Sequence, residues 1–210
     1  DPRKRFYSQN FPSQEQDTPA LQEDMIPEPD AGEKSYEGNN VLKGKRALIT
    51  GGDSGIGRAA AIAYAREGAD VAIQHFPGEE EDAKEVEAYI QEAGQRSLVL
   101  PLDFREEGAA AQVIEDTVNE FGGLDILVLN SAQQIAQTSL EDLSMKQIRE
   151  TFEVNLFSMY ESVKAAEKHL NPGSSIILTT SVQAFNPSTV FMDYAATKAA
   201  IANLTVNLAH

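Results

Sequence analysis

Tyr194 and Lys198 stand four residues apart in the run Tyr194-Ala195-Ala196-Thr197-Lys198. On a helix that spacing is about one turn, so the phenol and the ammonium share a face roughly 6 Å apart along the axis. A nearby cation favours phenolate over phenol. A tyrosine placed this way can give a proton to a carbonyl or take one from an alcohol. Two further groups could serve such a site. Ser181 ends the run Ile176-Ile177-Leu178-Thr179-Thr180-Ser181, where it could hold a substrate oxygen toward Tyr194 or simply open a loop. Asn155 lies within Phe152-Glu153-Val154-Asn155-Leu156-Phe157, and an amide buried there unpaired would cost free energy. A bound water relaying protons to Lys198 would account for it, and so would a satisfied structural amide.

A second constellation is Thr50-Gly51-Gly52-Asp53-Ser54-Gly55-Ile56-Gly57. Gly51 can take backbone angles closed to other residues, Gly55 lets a phosphate approach the main chain, and Gly57 lets a following helix sit close to a sheet. The N–H groups and dipole at that helix start would then face the phosphates. No Gly-Lys-Ser/Thr follows, so this is not a P-loop. A tight strand–helix turn without a ligand has the same letters, but the strand before and the helix after favour a dinucleotide. Discrimination between NAD and NADP belongs about twenty residues on. There Ala72-Ile73-Gln74-His75-Phe76-Pro77 offers neither a carboxylate for a 2′-hydroxyl nor an arginine for a 2′-phosphate, and the missing carboxylate leans towards tolerating the phosphorylated cofactor. The run Glu79-Glu80-Glu81-Asp82 favours the unphosphorylated cofactor if it comes near, although acids at a helix start also suit its dipole. The choice between NAD and NADP stays open.

These groups need elements to hold them. Short apolar runs at Arg46–Thr50, Val71–Ile73, Ser97–Leu100, Ile126–Leu129 and Ser175–Thr179 read as strands. They alternate with helical segments over Gly55–Glu67, Glu79–Ala93, Glu106–Phe121, Ser144–His169 and Tyr194–Ala209. Gly68, Gly94 and Gly122-Gly123 punctuate three of the helix ends. Uniformly apolar strands separated by helices are how a parallel sheet covered on both faces reads. The fold class is therefore α/β: a doubly wound parallel sheet, Rossmann-like, in three layers α/β/α. Residues 1–40 read as a polar, Pro-rich arm and residues 41–210 as the dinucleotide-binding domain. The arm is either solvated or laid along the domain or a neighbouring subunit, with Phe6, Tyr7, Phe11, Met25 and Ile26 as anchors.

Composition narrows the classes. The 210 residues carry 17 Lys+Arg against 33 Asp+Glu, a formal charge of −16, which argues against nucleic acid as a partner. No cysteine occurs, so disulfides and thiolate chemistry are excluded. His75, His169 and His210 lack ligand spacing, and no metal is expected. No apolar run is long enough to span a membrane and no signal-peptide core follows the basic start, so the expected setting is cytoplasmic. The absent initiator Met and the end at His210 lead to the expectation of a piece of a longer chain.

Taken together, the glycine turn, Asn130, Asn155, Ser181 and Tyr194…Lys198 resemble the short-chain dehydrogenase/reductase family, from about Leu42 to His210. A bacterial subgroup with an extended N-terminal arm is the most similar. It carries segments like Pro29-Asp30-Ala31-Gly32-Glu33-Lys34-Ser35-Tyr36 and the turn Gly51 to Gly57 with its helix. The resemblance implies Tyr194 as catalytic acid/base and Lys198 as the group that binds the nicotinamide ribose and favours the phenolate. It implies Ser181 on the substrate oxygen and Asn155 on a relay water. Gly51, Ser54, Gly55, Ile56 and Gly57 would line the pyrophosphate and adenosine path, Asp103 and Phe104 the adenine, and Asn130 and Ala132 the stretch after the fourth strand. It also implies that the arm packs on the fold or on a partner, and that the chain forms a homo-oligomer, a dimer or tetramer. The family's usual Asn-Asn-Ala-Gly reads Asn130-Ser131-Ala132-Gln133 here, which puts the local loop geometry in question.

The implied reaction is NAD(P)-dependent interconversion of a small-molecule alcohol and a carbonyl. A non-catalytic dinucleotide-binding or oligomeric scaffold with the same fold is the competing reading, and epimerisation or dehydration on the same cofactor is a third.

Overall fold

Leu48 and Ile49 are adjacent in sequence and both wholly buried, yet they belong to different apolar clusters on opposite faces of one sheet. Burial on both sides is why the strands read as unbroken apolar runs. The computed structural model describes residues 10–16, 20–22 and 24–209. Its strands are β1 (Arg46–Thr50), β2 (Asp70–His75), β3 (Ser97–Pro101), β4 (Ile126–Leu129) and β5 (Ser175–Leu178), all parallel, in the order β3-β2-β1-β4-β5. Helices α1 (Gly55–Arg66) and α2 (Glu80–Glu92) cover one face, where Ala61, Ala65, Val86 and Ile90 meet Ile49, Val71, Ile73 and Val128. Helices α3 (Ala109–Phe121), α5 (Ser158–Ala166) and α6 (Met192–Leu208) cover the other, with Val113, Ile114, Met159 and Ile201 against Leu48, Leu127 and Leu129. The expected doubly wound, three-layer sheet is thus what forms. The direction of strand addition reverses between β1 and β4, and ligands of such folds bind where it does so.

Most element boundaries fall within one to three residues of expectation, and the departures with a physical cause are these. The third helix begins at Ala109 rather than Glu106, because Gly108 takes a left-handed φ of 82° that no helix can continue through. The segment from Ser144 to His169 is helical throughout but not uniformly so: α4 (Met145–Phe152) passes into a π turn at Glu153–Phe157 before α5 and ends in a short 3₁₀ turn. Such turns concentrate at functional sites, and this one holds Asn155. The fifth strand stops at Leu178. Ser181 instead caps a 3₁₀ turn, Val182–Ala184, its Oγ accepting from the Gln183 N–H at 3.2 Å.

The described part of the arm is strapped along α1 by polar groups. Glu33 and Arg58 form a buried ion pair at 2.7 Å. Arg66 donates to the carbonyls of Gly32, Glu33 and Tyr36 at 2.7, 2.8 and 2.6 Å. Glu67 accepts from the Tyr36 hydroxyl and from the backbone of Asn39 and Val41. Gly38 lies so near that an added Cβ would stand 1.9 Å from the Arg66 carbonyl oxygen. Apolar anchors do not hold the arm to its own domain: Phe11, Met25 and Ile26 are 68%, 44% and 64% exposed in the single chain, while Phe6 and Tyr7 lie outside the described residues. Among the described residues no helix is long and apolar enough to cross a membrane.

Candidate active site

A cleft of about 440 Å³ opens at the carboxyl ends of β1 to β4. One wall is the glycine turn. Gly51 has φ 60° and packs on Ser131, and an added Cβ on Gly57 would lie 1.8 Å from the Gly51 carbonyl oxygen. Only glycine at 57 therefore lets α1 begin this close to the strand end. Gly55 has φ 54° with nothing within 4 Å of where its Cβ would stand. The floor is Gln74, buried in β2. Its Oε1 accepts from the Gly51 N–H at 3.1 Å and the Ser131 hydroxyl at 2.7 Å, while its Nε2 donates to the Leu102 carbonyl at 2.7 Å. One amide thus ties together the loops after β1, β3 and β4.

The far end of the cleft is lined by Asp53, Phe76, Glu79, Asp103, Phe104 and Arg105. Burial, together with the nearby Asp53 and Asp82 carboxylates, pushes Glu79 up to about 7. Burial likewise raises Asp53, with Asp82 adding to it. Burial also works against the Asp103 carboxylate, but bonds from the Arg105 guanidinium (2.6–3.0 Å) and N–H outweigh it and hold Asp103 below its usual range. Arg105 lies over the Phe76 ring, 5.0 Å from its centroid.

On the other side of the switch point, α6 carries Tyr194 and Lys198. Lys198 is 1% exposed, its Nζ 5.4 Å from the centre of the Tyr194 ring and donating to the Thr179 carbonyl at 2.9 Å. Burial lowers this lysine to about 8. The Thr179 hydroxyl donates to Asn130 Oδ1 at 3.0 Å, and Asn130 Nδ2 donates to the Gly51 carbonyl at 3.3 Å. The two constellations are therefore joined residue to residue. Asn155 is wholly buried. Its Oδ1 accepts from the Gln133 N–H at 2.6 Å, and its Nδ2 donates to the Gln133 carbonyl at 2.9 Å and to Thr197 Oγ1 at 3.2 Å.

The sequence profile of short chain dehydrogenases matches residues 45–210. The chain belongs to the short-chain dehydrogenase family. Its relatives include the uncharacterized oxidoreductase YhxD of Bacillus subtilis, 52% identical over 99% of this chain and 69% of the relative. Another is the glucose and ribitol dehydrogenase homolog 2 of Arabidopsis thaliana, 42% identical over 95% of this chain and 71% of the relative. Among solved structures, a short chain dehydrogenase from Burkholderia cenocepacia in complex with NADP superposes with a TM-score of 0.75 at 40% identity, covering 80% of this chain and 68% of that one.

In this short-chain dehydrogenase, six of the residues singled out from sequence line the cleft: Gly51, Ser54, Asp103, Phe104, Asn130 and Ala132. Gly55, Ile56 and Gly57 form the start of α1 beside it. Tyr194, Lys198 and Ser181 are not on its walls and belong to the β5–α6 side. The Asn155 side chain bonds to Gln133 and Thr197 and so ties three segments together. Those bonds to the Gln133 backbone also fix the loop that lacks the family's glycine. Several participants escaped the sequence reading. Gln74 could have been noticed as a polar residue inside an apolar strand. Thr179 and Thr197 carried no such signal, whereas Glu79 belongs to the acidic run and does reach the cleft. From the arm, Gln22 reaches the glycine turn, its Oε1 accepting from the Gly55 N–H at 2.8 Å and its own N–H donating to Asp82 at 2.8 Å.

Proposed function

We propose that this chain is an NAD(P)-dependent oxidoreductase that interconverts a small-molecule alcohol and a carbonyl, with Tyr194 as proton donor and acceptor. The observation that carries the reading is the run of contacts from Gly51 through Asn130 and Thr179 to Lys198 and Tyr194. It fixes a phosphate-type turn and an acid/base pair in one frame. The cleft suits a dinucleotide. Open space stands over Gly55, and the N–H groups of Ile56 and Gly57, in the first turn of α1, have no acceptor earlier in the helix.

A bound nicotinamide would supply the hydride acceptor or donor. Ser54, Ile56 and Gly57 would bind its pyrophosphate, Asp103 and Phe104 its adenine, Asn130 and Ala132 the stretch toward the nicotinamide, and Lys198 the second ribose. Ser181 would hold the substrate oxygen within reach of the Tyr194 hydroxyl. Lys198, anchored on the Thr179 carbonyl, presents its ammonium beside the Tyr194 ring, whose hydroxyl would exchange the proton with the substrate oxygen. Asn155 keeps the π turn, the loop after β4 and α6 together, and so positions Tyr194 indirectly.

The assembly we propose is a homodimer or homotetramer, formed through α5, α6 and the π turn, where Phe157, Tyr160, Val206 and Leu208 are exposed. Polyols and aldoses head the substrate panel because one relative is named for glucose and ribitol. The test is a fluorescence titration with NADH and NADPH, followed by turnover on aldehydes, ketones and sugars. Saturable binding with turnover of at least one carbonyl supports the reading. Absence of binding by either cofactor overturns it.

A further inference from the structure

The end of β2, where a carboxylate or an arginine would read the adenosine ribose, holds Gln74, His75 and Phe76 instead. Gln74 is fully engaged with three loops, and His75 is buried with its Nδ1 2.9 Å from the Phe76 carbonyl. A carboxylate nevertheless reaches this corner. Glu79 immediately precedes α2, and its Oε2 accepts from the Phe76 N–H at 3.2 Å. That bond folds the Phe76–Glu79 turn back so that Glu79 lines the cleft together with Gly51, Ser54 and Phe76.

We propose that Glu79 is the specificity residue of this cleft, reading the adenosine ribose and favouring the 2′-hydroxyl of NAD(H) over the 2′-phosphate of NADP(H). The inference rests on the dinucleotide reading above and adds to it the choice between two cofactors. A carboxylate accepts a hydrogen bond from a hydroxyl and repels a phosphate. The surroundings offer the phosphate no compensation. Asp53 faces Glu79 from the turn after β1, and Glu80 and Asp82 face it from α2. His75 is held within β2. Arg105, on the Phe76 ring, is the cation nearest this corner among the residues lining the cleft, and Asp103 engages its guanidinium at 2.6–3.0 Å.

The same surroundings make the preference depend on pH. Because burial and neighbouring carboxylates raise Glu79 to about 7, acid conditions neutralise it and remove the repulsion. A 2′-phosphate itself loses charge near about pH 6, which acts in the same direction. The variant Glu79→Gln separates the two, since glutamine keeps an acceptor oxygen but cannot ionise.

The experiment measures the dissociation constants of NADH and NADPH by calorimetry at about pH 6 and about pH 8.5, on either side of an ordinary neutral titration. The proteins are the full chain, Glu79→Gln, Glu79→Lys, and a control, Glu81→Gln, whose side chain is exposed and outside the cleft. Expected at high pH is a preference for NADH of about tenfold or more, the scale of one like-charge contact near a protein surface. Glu79→Gln collapses that preference and leaves only the pH dependence of the phosphate, Glu79→Lys shifts it further toward NADPH, and Glu81→Gln matches the parent. A parent that favours NADPH at high pH, or a Glu79→Gln ratio equal to the parent's, overturns the assignment while leaving the oxidoreductase reading intact. Absence of binding by either cofactor overturns both.

Discussion

Around the glycine turn the shape comes mostly from backbone, whereas around Tyr194 it comes from side chains tied across distant segments. At the first, Gly57 touches the Gly51 carbonyl and the cleft forms wherever strand ends and a helix start converge. At the second, Lys198 needs Thr179, Thr179 needs Asn130, and Asn155 needs Gln133 and Thr197, pairs separated by 19 to 49 residues. The glycine turn itself is local and follows from residue type, with Gln74 tying it to the loops after β3 and β4. The second is a product of the completed fold, so it is the region where a single distant substitution can loosen the chemistry. Both regions bury a titratable group, and the two are of opposite sign: Glu79 at the turn end and Lys198 beside the tyrosine.

The comparison can be broken at several places. Gly57→Ala is expected to do most harm, about 3 kcal/mol of stability from overpacking against a carbonyl, together with loss of cofactor binding. Urea unfolding and a cofactor titration measure the two effects. Asn155→Ala comes next, at about 2–3 kcal/mol, since it leaves the Gln133 N–H and carbonyl without their side-chain partner and removes the donor to Thr197 Oγ1. Unlike Gly57→Ala it should leave the glycine turn competent, so turnover falls more than cofactor affinity. Equal loss of both would erase the distinction between the regions.

The buried charges sharpen it further. Lys198 titrates at about 8 when folded against an ordinary 10.5, so between those values the unfolded chain binds a proton that the folded chain has lost. Stability therefore rises with pH across that window, relative to Lys198→Met. Glu79 runs the other way. Its folded value of about 7 exceeds the ordinary 4.5, the folded chain keeps the proton longer, and stability falls as pH rises between them, relative to Glu79→Gln. Melting curves against pH for the two variants check both slopes. The smallest effect is Gly55→Ala, about 1 kcal/mol for a left-handed φ on a site with free space around it.

The sequence made the parallel sheet legible because adjacent strand residues such as Leu48 and Ile49 are both apolar, and only burial on two faces asks for that. The helix with Tyr194 and Lys198 on one face was legible from spacing. What was hidden needed contacts between segments. Nothing in Phe76-Pro77-Gly78-Glu79 announces that the glutamate turns back onto the Phe76 N–H. Nothing in the sequence around Asn155 announces its bonds to Gln133, which form only once the loop after β4 is in position. The arm was legible only in part for a related reason: on its own domain Glu33, Tyr36 and Gly38 hold it down, through contacts with Arg58, Glu67 and Arg66 that no local pattern shows.

In the proposed reaction Tyr194 moves the proton while the glycine cleft holds the cofactor. The direct test is Tyr194→Phe, assayed for cofactor affinity and for turnover on the same sample. The account predicts unchanged affinity and turnover lower by roughly 100- to 10,000-fold, the worth of a positioned acid/base. Turnover equal to that of the parent chain on every active substrate would contradict it.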